Sequence, residues 1–353
     1  MRISSPLFIG LSLAVITACS NPSTDAPAEA SADAAQADQA ISIYSTRHYD
    51  SDRLLYQAFE DQTGIRVRAR EGKSGDLLEA MKAEGDASPA DLVLATDAGT
   101  LWRFQDEGLL QPVRSDALDT LIPETLREPD GYWYGLSRRA RVIVYDPVRY
   151  TAEQVGGYDA LASDTFKNDV CMRSSSNIYN LSLMGELIER WGDAEAENWA
   201  KSVTGNFARQ PTGGDTTQIE SIAAGECSVT LINHYYWARL VSSNSEDRRA
   251  IGEATKLIFP DGGDGTHVNI TGAAVAKNAP NKDGAIAFIE FLASQQGQAL
   301  LITETKEFPI RDDVALPAGL ETLPAFTAST VPLTKFGENQ AKAQAIYDRA
   351  GWK

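Results

Sequence analysis

Two adjacent tyrosines, Tyr235 and Tyr236, lie in the run Asn233-His234-Tyr235-Tyr236-Trp237. Further phenols stand at Tyr49, beside His48, and at Tyr179, just after Ser174-Ser175-Ser176-Asn177. A phenolate is a hard, anionic oxygen ligand. A cluster of them suits a small, highly charged cation, which among biological metals points to ferric iron ahead of zinc or copper. A free phenol ionises near pH 10, but a trivalent cation at bonding distance depresses that value strongly. Binding would therefore release protons and weaken in acid. Several phenolates on one Fe³⁺ overshoot its charge, so nearby cations are needed. Arg139 and Arg239 either balance that charge or belong to a solvated, salt-bridged face, the reading that Arg138 and Arg141 carry. Tyr44, Tyr56, Tyr134 and Tyr145 read as half-buried phenols with one hydrogen bond each.

The elements must bring these residues together. Ile41–Tyr44 alternates as a strand. Asp52 to Thr63 is helical, with Leu54, Leu55, Ala58 and Phe59 on one face and Gly64 as the stop. Ile65–Ala69 is a second strand, Gly75–Glu84 a helix and Asp91–Leu94 a third strand, with Asp97 as an N-cap. This βαβαβ order favours a parallel sheet covered by helices. Gly131–Gly135 reads as aromatic turn material before a strand at Arg141–Tyr145. A second α/β unit follows, with strands at Val170–Arg173, Val229–Ile232 and Ala273–Ala276. Its helices fall at Asn180–Arg190, Thr217–Ala224 and Lys282–Ser294, with a last one near Glu338–Arg349. Tyr49, Tyr179 and the Tyr235-Tyr236 pair all fall in loops beyond strand carboxyl ends, the edge of an open α/β sheet where ligands bind. Adjacent residues of a strand face opposite ways. To reach one ion, Tyr235 and Tyr236 must lie in a turn or in the first turn of a helix.

Other chemistry is scarce. There is no G-x-S-x-G elbow, P-loop lysine motif or H-E-x-x-H. The three histidines, His48, His234 and His267, are too scattered for a zinc site. Gly213-Gly214-Asp215 and Gly262-Gly263-Asp264-Gly265 read as turns that do not open a helix, so neither cradles phosphate. An enzyme is not expected.

The ends and the charge bound the setting. Arg2, the short apolar run Leu7 to Val15 and the small residues before Cys19 read as an export signal over 1–18. Cys19 is either the lipidated residue of a bacterial lipobox or a chance cysteine after a signal cut behind Ala18; both place the chain outside the cytoplasm. Residues 19–40 carry too little apolar surface to fold and read as a tether. Residues 41–353 suffice for two domains of roughly 150 residues each. The net charge of −17 argues against a nucleic-acid partner. Cys171 and Cys227, in an oxidising compartment, form a disulfide or remain two buried thiols.

The segments Tyr44-Ser45-Thr46-Arg47-His48-Tyr49, Ser88-Pro89-Ala90-Asp91, Arg138-Arg139-Ala140-Arg141-Val142-Ile143, Arg173-Ser174-Ser175-Ser176-Asn177, Asn233-His234-Tyr235-Tyr236 and Gly265-Thr266-His267-Val268-Asn269 occur in this order across the mature chain. Together they resemble the periplasmic ferric-ion-binding proteins of bacterial ABC importers, in particular the tyrosine-rich cyanobacterial type. The resemblance implies an α/β, two-lobed periplasmic binding protein (type II), each lobe a mixed sheet flanked by helices, with the ligand cleft between lobes. It divides the chain into 41–137 plus 266–310 and 138–265 plus 311–353. It implies Tyr49 from the first lobe and Tyr179, Tyr235 and Tyr236 from the second as iron ligands, with His48 a ligand or a neighbour. Arg139 and Arg239 would back the metal or face an anion such as carbonate. The disulfide would lie within the second lobe. The protein would be a periplasmic monomer, anchored through Cys19, that delivers Fe³⁺ to a permease and its ATPase. A binding protein of the same fold for an oxyanion or other small solute is the alternative. His234 departs from the pattern, standing where relatives often carry a small residue.

Overall fold

The computed structural model describes residues 40–353. The expected signal peptide, Cys19 and all but the last residue of the tether lie outside the described residues.

Eight strands form the framework: β1 (Ala40–Ser45), β2 (Arg66–Glu71), β3 (Leu92–Ala95), β4 (Tyr134–Tyr145), β5 (Val170–Cys171), β6 (Val229–Asn233), β7 (Lys256–Ile258) and β8 (Val268–Val275). Their order is β2-β1-β3-β8-β4-β6-β5, with β7 also pairing β4. β1 runs parallel to β2 and β3, as the βαβαβ reading expects. β8 then inserts antiparallel between β3 and β4, so the sheet is mixed.

β4 joins two bodies. Its first half, Tyr134–Ala140, pairs with β8, and its second half, Arg141–Tyr145, pairs with β6. The first half adjoins a core built from Ile41, Leu55, Phe59, Leu92, Leu101, Trp133, Ile270 and Phe288, among others. Val314, Leu333 and Phe336 also pack there. The second half is covered on both faces. Ile143 and Tyr145 point into one cluster with Met184, Leu187 and Trp199. Ala140, Val142 and Val144 point into another with Ile219, Ile232 and Leu240. This is the two-residue alternation of a strand buried on both sides.

Local rules account for the helices. The helix Asp52–Thr63 ends at Gly64, whose φ of 73° is left-handed backbone and whose N–H donates to Glu60 O at 2.8 Å. Leu55 and Phe59 are buried there, but Leu54, expected on the same face, is 64% exposed. The buried face of this helix runs through Leu55 and Phe59, and Leu54, 100° around the helix from Leu55, falls outside it. Asp97 caps the helix Ala98–Asp106, accepting from Gly99 N at 2.7 Å. The tail is split into Thr334–Glu338 and Gln340–Ala350. Tyr134 and Gly135, read as turn, open β4 instead. Their backbone pairs with Ala273 and Gly272 of β8, a partner more than 130 residues away that local composition cannot reveal. Among the described residues no single helix is long and apolar enough to cross a membrane.

Cys171 and Cys227 form a disulfide, with Cα atoms 5.9 Å apart and 56 residues between them in sequence. The bond ties the end of β5 to the turn before β6. Changing both cysteines to serine is expected to lower the unfolding free energy by about 2–4 kcal/mol, chiefly by releasing the unfolded chain. Denaturant titration checks this; an unchanged midpoint would show that the bond contributes nothing.

Candidate metal centre

The four tyrosines arrive from three places. Tyr49 lies in the loop between β1 and the helix Asp52–Thr63. Tyr179 sits in the first turn of the helix Ile178–Trp191, and its N–H donates to the Asn177 side chain at 3.0 Å. Tyr235 and Tyr236 sit in the first turn of the helix His234–Val241, directly after β6. That is one of the two placements that let neighbouring phenols converge. Helix N-termini also favour negative oxygen, and three of the four phenols are at one.

The side chains meet. The Tyr235 hydroxyl donates to the Tyr179 hydroxyl at 3.4 Å and accepts from Asn233 Nδ2 at 3.2 Å. The rings of Tyr235 and Tyr236 are 4.4 Å apart. Arg239 closes the group: its guanidinium carbon lies 5.1 Å from the ring of Tyr49, 5.0 Å from Tyr235 and 5.8 Å from Tyr236. A phenol attached to the first body thus faces phenols attached to the second.

Arginines surround the cluster. Arg139 lies 5.7 Å from the Tyr179 ring and 5.4 Å from the Tyr235 ring. Arg47 lies 4.9 Å from Tyr49, and Arg173 lies 5.4 Å from Tyr179. Carboxylates hold several of them from behind. Arg47 Nη2 donates to Asp52 at 2.5 Å and Arg139 Nη2 to Glu307 at 2.7 Å. Asp215 accepts from both Arg141, at 2.7 Å, and Arg173, at 2.8 Å. Arg239 has only the Thr305 carbonyl, at 3.0 Å. Arg47 Nη1, Arg139 Nε and Nη1, Arg141 Nε, Arg173 Nε and Arg239 Nε are buried without a hydrogen-bond partner among the described residues. Such donors are costly unless negative charge is near, and phenolate or a bound anion would supply it.

The site corrects several expectations. Arg138, Arg139 and Arg141 lie inside β4 rather than before a strand. Arg141 is fully buried and bound to Asp215 and Asn180, not part of a solvated face. Gly213-Gly214 does open a helix, Asp215–Ala223. Asp215, its first residue, puts a carboxylate at that end, where it accepts from Arg141, Arg173 and Asn233 N. His234 points away from the phenols: it stacks on Phe308 at 4.3 Å, and Nδ1 accepts from Ala140 N at 3.1 Å. Burial pushes its pKa down to about 3, so it is neutral. His267 is held by Glu186, apart from the cluster. His48 is exposed and stacks on Tyr49 at 5.7 Å. Tyr44 and Tyr134 are hydrogen-bonded phenols in the core, to Glu84 and to the Val113 carbonyl.

Asp52, Asp215, Glu307 and Asn233 were not legible as site residues. Neither Arg47 nor Arg173 is read from the sequence as a site residue; each follows the carboxyl end of a strand in the structure, β1 and β5, and that shared placement with the tyrosines is the signal that could have found them. Burial raises the phenols of Tyr235 and Tyr236, and Tyr179 beside them raises both further. Without a cation the pair is protonated at neutral pH. Among the described residues no group of three or more His, Cys, Asp or Glu could hold a metal.

Residues 87–326 match the family model for the bacterial extracellular solute-binding protein. The chain is 42% identical to iron uptake protein A1 of Synechocystis sp., covering 100% of this chain and 99% of that one. Its structure is similar to that of Trichodesmium IdiA (FutA) in complex with iron and citrate ligands, with a TM-score of 0.85 and 43% identity over 89% of this chain and 100% of that chain. The ferric binding protein from Campylobacter jejuni gives a TM-score of 0.84 and 36% identity over 89% of this chain and 100% of that chain. On the family match over residues 87–326 and the near full-length identity, this chain belongs to the bacterial extracellular solute-binding proteins.

Proposed function

We propose that this protein binds ferric iron between two lobes through the phenolates of Tyr49, Tyr179, Tyr235 and Tyr236, and delivers it to an ABC importer. The observation that carries the proposal is the convergence of four phenols from both bodies inside a ring of guanidinium groups. The relatives named for ferric iron and iron uptake support the same ligand. The lobes follow 41–137 with 266–310 and 138–265 with 311–353, except that Val314, Leu333 and Phe336 go with the first core they pack in. His48, stacked on Tyr49, is the residue proposed to add a fifth donor. Arg139 and Arg239 back the phenolates or face a small anion such as carbonate. The protein works as a periplasmic binding protein rather than an enzyme, as a monomer held by a lipid on Cys19, with a permease and its ATPase as partners.

Ligands from both lobes make iron a clamp. The ion gains contacts in the closed form that the open form cannot provide, so loading shifts the population toward closure. The importer can then distinguish loaded from empty protein by shape.

The partnerless guanidinium nitrogens favour one rival, an oxyanion site. Tyr235→Phe and Tyr236→Phe separate the two readings, because each keeps the ring and removes only the oxygen. Each is expected to weaken ferric binding by more than the roughly 10–100-fold typical of losing a residue behind a ligand, and to bleach the visible phenolate-to-iron absorption. Oxyanion binding with undiminished affinity in both variants, and no colour with ferric citrate in the wild type, would overturn the iron reading.

Proton release gives a second test. Because Tyr235 and Tyr236 are both raised, iron must displace at least their two protons. Ferric affinity is then expected to fall by roughly 100-fold or more per pH unit on acidification, a factor of ten for each proton. Titration of iron loading between neutral and mildly acid pH measures the slope; a flat profile would contradict phenolate ligation.

A further inference from the structure

Glu307 touches no tyrosine, and nothing in its sequence surroundings marks it. It is fully buried. It follows Lys306, whose φ of 58° lies in the left-handed region at the end of the helix Gln295–Thr305. The chain therefore turns sharply, and Phe308 exchanges two backbone hydrogen bonds with Arg138, at 2.8 and 2.9 Å. That pairing sets residue 307 beside β4.

Both carboxylate oxygens of Glu307 are occupied. One accepts from Arg139 Nη2 at 2.7 Å. The other accepts from the Thr271 hydroxyl at 2.9 Å and from the Ser137 hydroxyl. All three donors belong to β4, the strand that joins the two bodies, and to its neighbour β8. Arg139 Nε and Nη1 have no hydrogen-bond partner among the described residues, and the guanidinium carbon lies 5.7 Å from the Tyr179 ring and 5.4 Å from the Tyr235 ring. One guanidinium is thus divided between a carboxylate and the phenols. Arg47 and His234 are the other titratable groups that feel the same carboxylate, and His234 is neutral. Burial raises the Glu307 carboxyl, but Arg139 and Arg47 together hold it below the usual range, so it is an anion at neutral pH.

We propose that Glu307 is a positioning residue for the ferric site: it fixes Arg139 against Tyr179 and Tyr235 and cancels part of its charge, which keeps bound iron ferric. The inference rests on the ferric reading above. Reduction adds one electron to the metal without making or breaking a bond, and a nearby uncompensated cation stabilises that electron. An anion behind the cation opposes it. The sign holds whatever the number of phenolates, because reduction always makes the site one unit more negative.

The test is a reductive titration of the iron-loaded protein with dithionite, following the visible phenolate-to-iron band to obtain the midpoint potential. E307Q is expected to load iron and to be reduced more easily, with the reduction equilibrium favoured about tenfold or more. E307D retains the anion and is expected to keep the wild-type potential; a merely structural Glu would fail with Asp as well as with Gln. Equal potentials for E307Q and wild type overturn the proposal. Should E307Q not fold, S137A removes one hydroxyl donor from the carboxylate, leaves the Arg139 bonds to Glu307 and Thr271 in place, and so concentrates the carboxylate charge on Arg139. Its potential is expected to move the opposite way, and an unchanged value again overturns the proposal. A wild-type protein that shows no band at all sinks the ferric reading itself, a distinguishable failure.

Discussion

A guanidinium cannot be buried alone. Arg47, Arg139 and Arg141 are almost wholly removed from water, and each has a carboxylate against it: Asp52, Glu307 and Asp215. Removing one partner of such a pair would leave a buried charge uncompensated, which costs far more than the pair itself contributes. The arrangement of the site follows from that constraint. Asp52 opens a helix, Asp215 opens another, and Glu307 is turned inward after a third. These elements must therefore dock where the arginines are, and the arginines face the tyrosines.

The same constraint explains why the phenols converge. Four polar rings drawn together would otherwise have little reason to meet. Here cations lie against their faces, at 4.9–5.8 Å from ring centroids. An aromatic face attracts a cation even while the phenol is protonated. On ionisation the attraction becomes that of opposite charges. Burial alone would forbid the anionic state of these phenols, and in the proposed ferric complex a trivalent cation is what brings it about.

β4 makes the arrangement mechanical. One strand supplies Arg139 and Arg141, and its two halves belong to different bodies. Arg139 sits on the half paired with β8 and Arg141 on the half paired with β6. A change in the angle between the bodies would be felt first at this strand, next to the charges that hold the phenols. Ligand binding and lobe closure share a common set of residues.

Much of this was present in the sequence. Phenol chemistry singled out Tyr49, Tyr179, Tyr235 and Tyr236, and strand-then-loop placement put them at one sheet edge. The helix Asp52–Thr63 and its Gly64 stop, the Asp97 cap and the parallel β1–β3 unit follow from local propensity and periodicity, which act over a few residues. What the sequence could not contain in readable form was pairing over long distances. Tyr134 and Gly135 look like a turn until β8 lies beside them; Arg141 looks solvated until Asp215 arrives from 74 residues away. Asp52, Asp215 and Glu307 carry no local mark of their role, because the role is to cancel a charge that only tertiary folding brings near. The proposed donors follow from side-chain chemistry, which the sequence carries on its face. The charges that let those donors act were set by burial and proximity, and only the tertiary structure decided them.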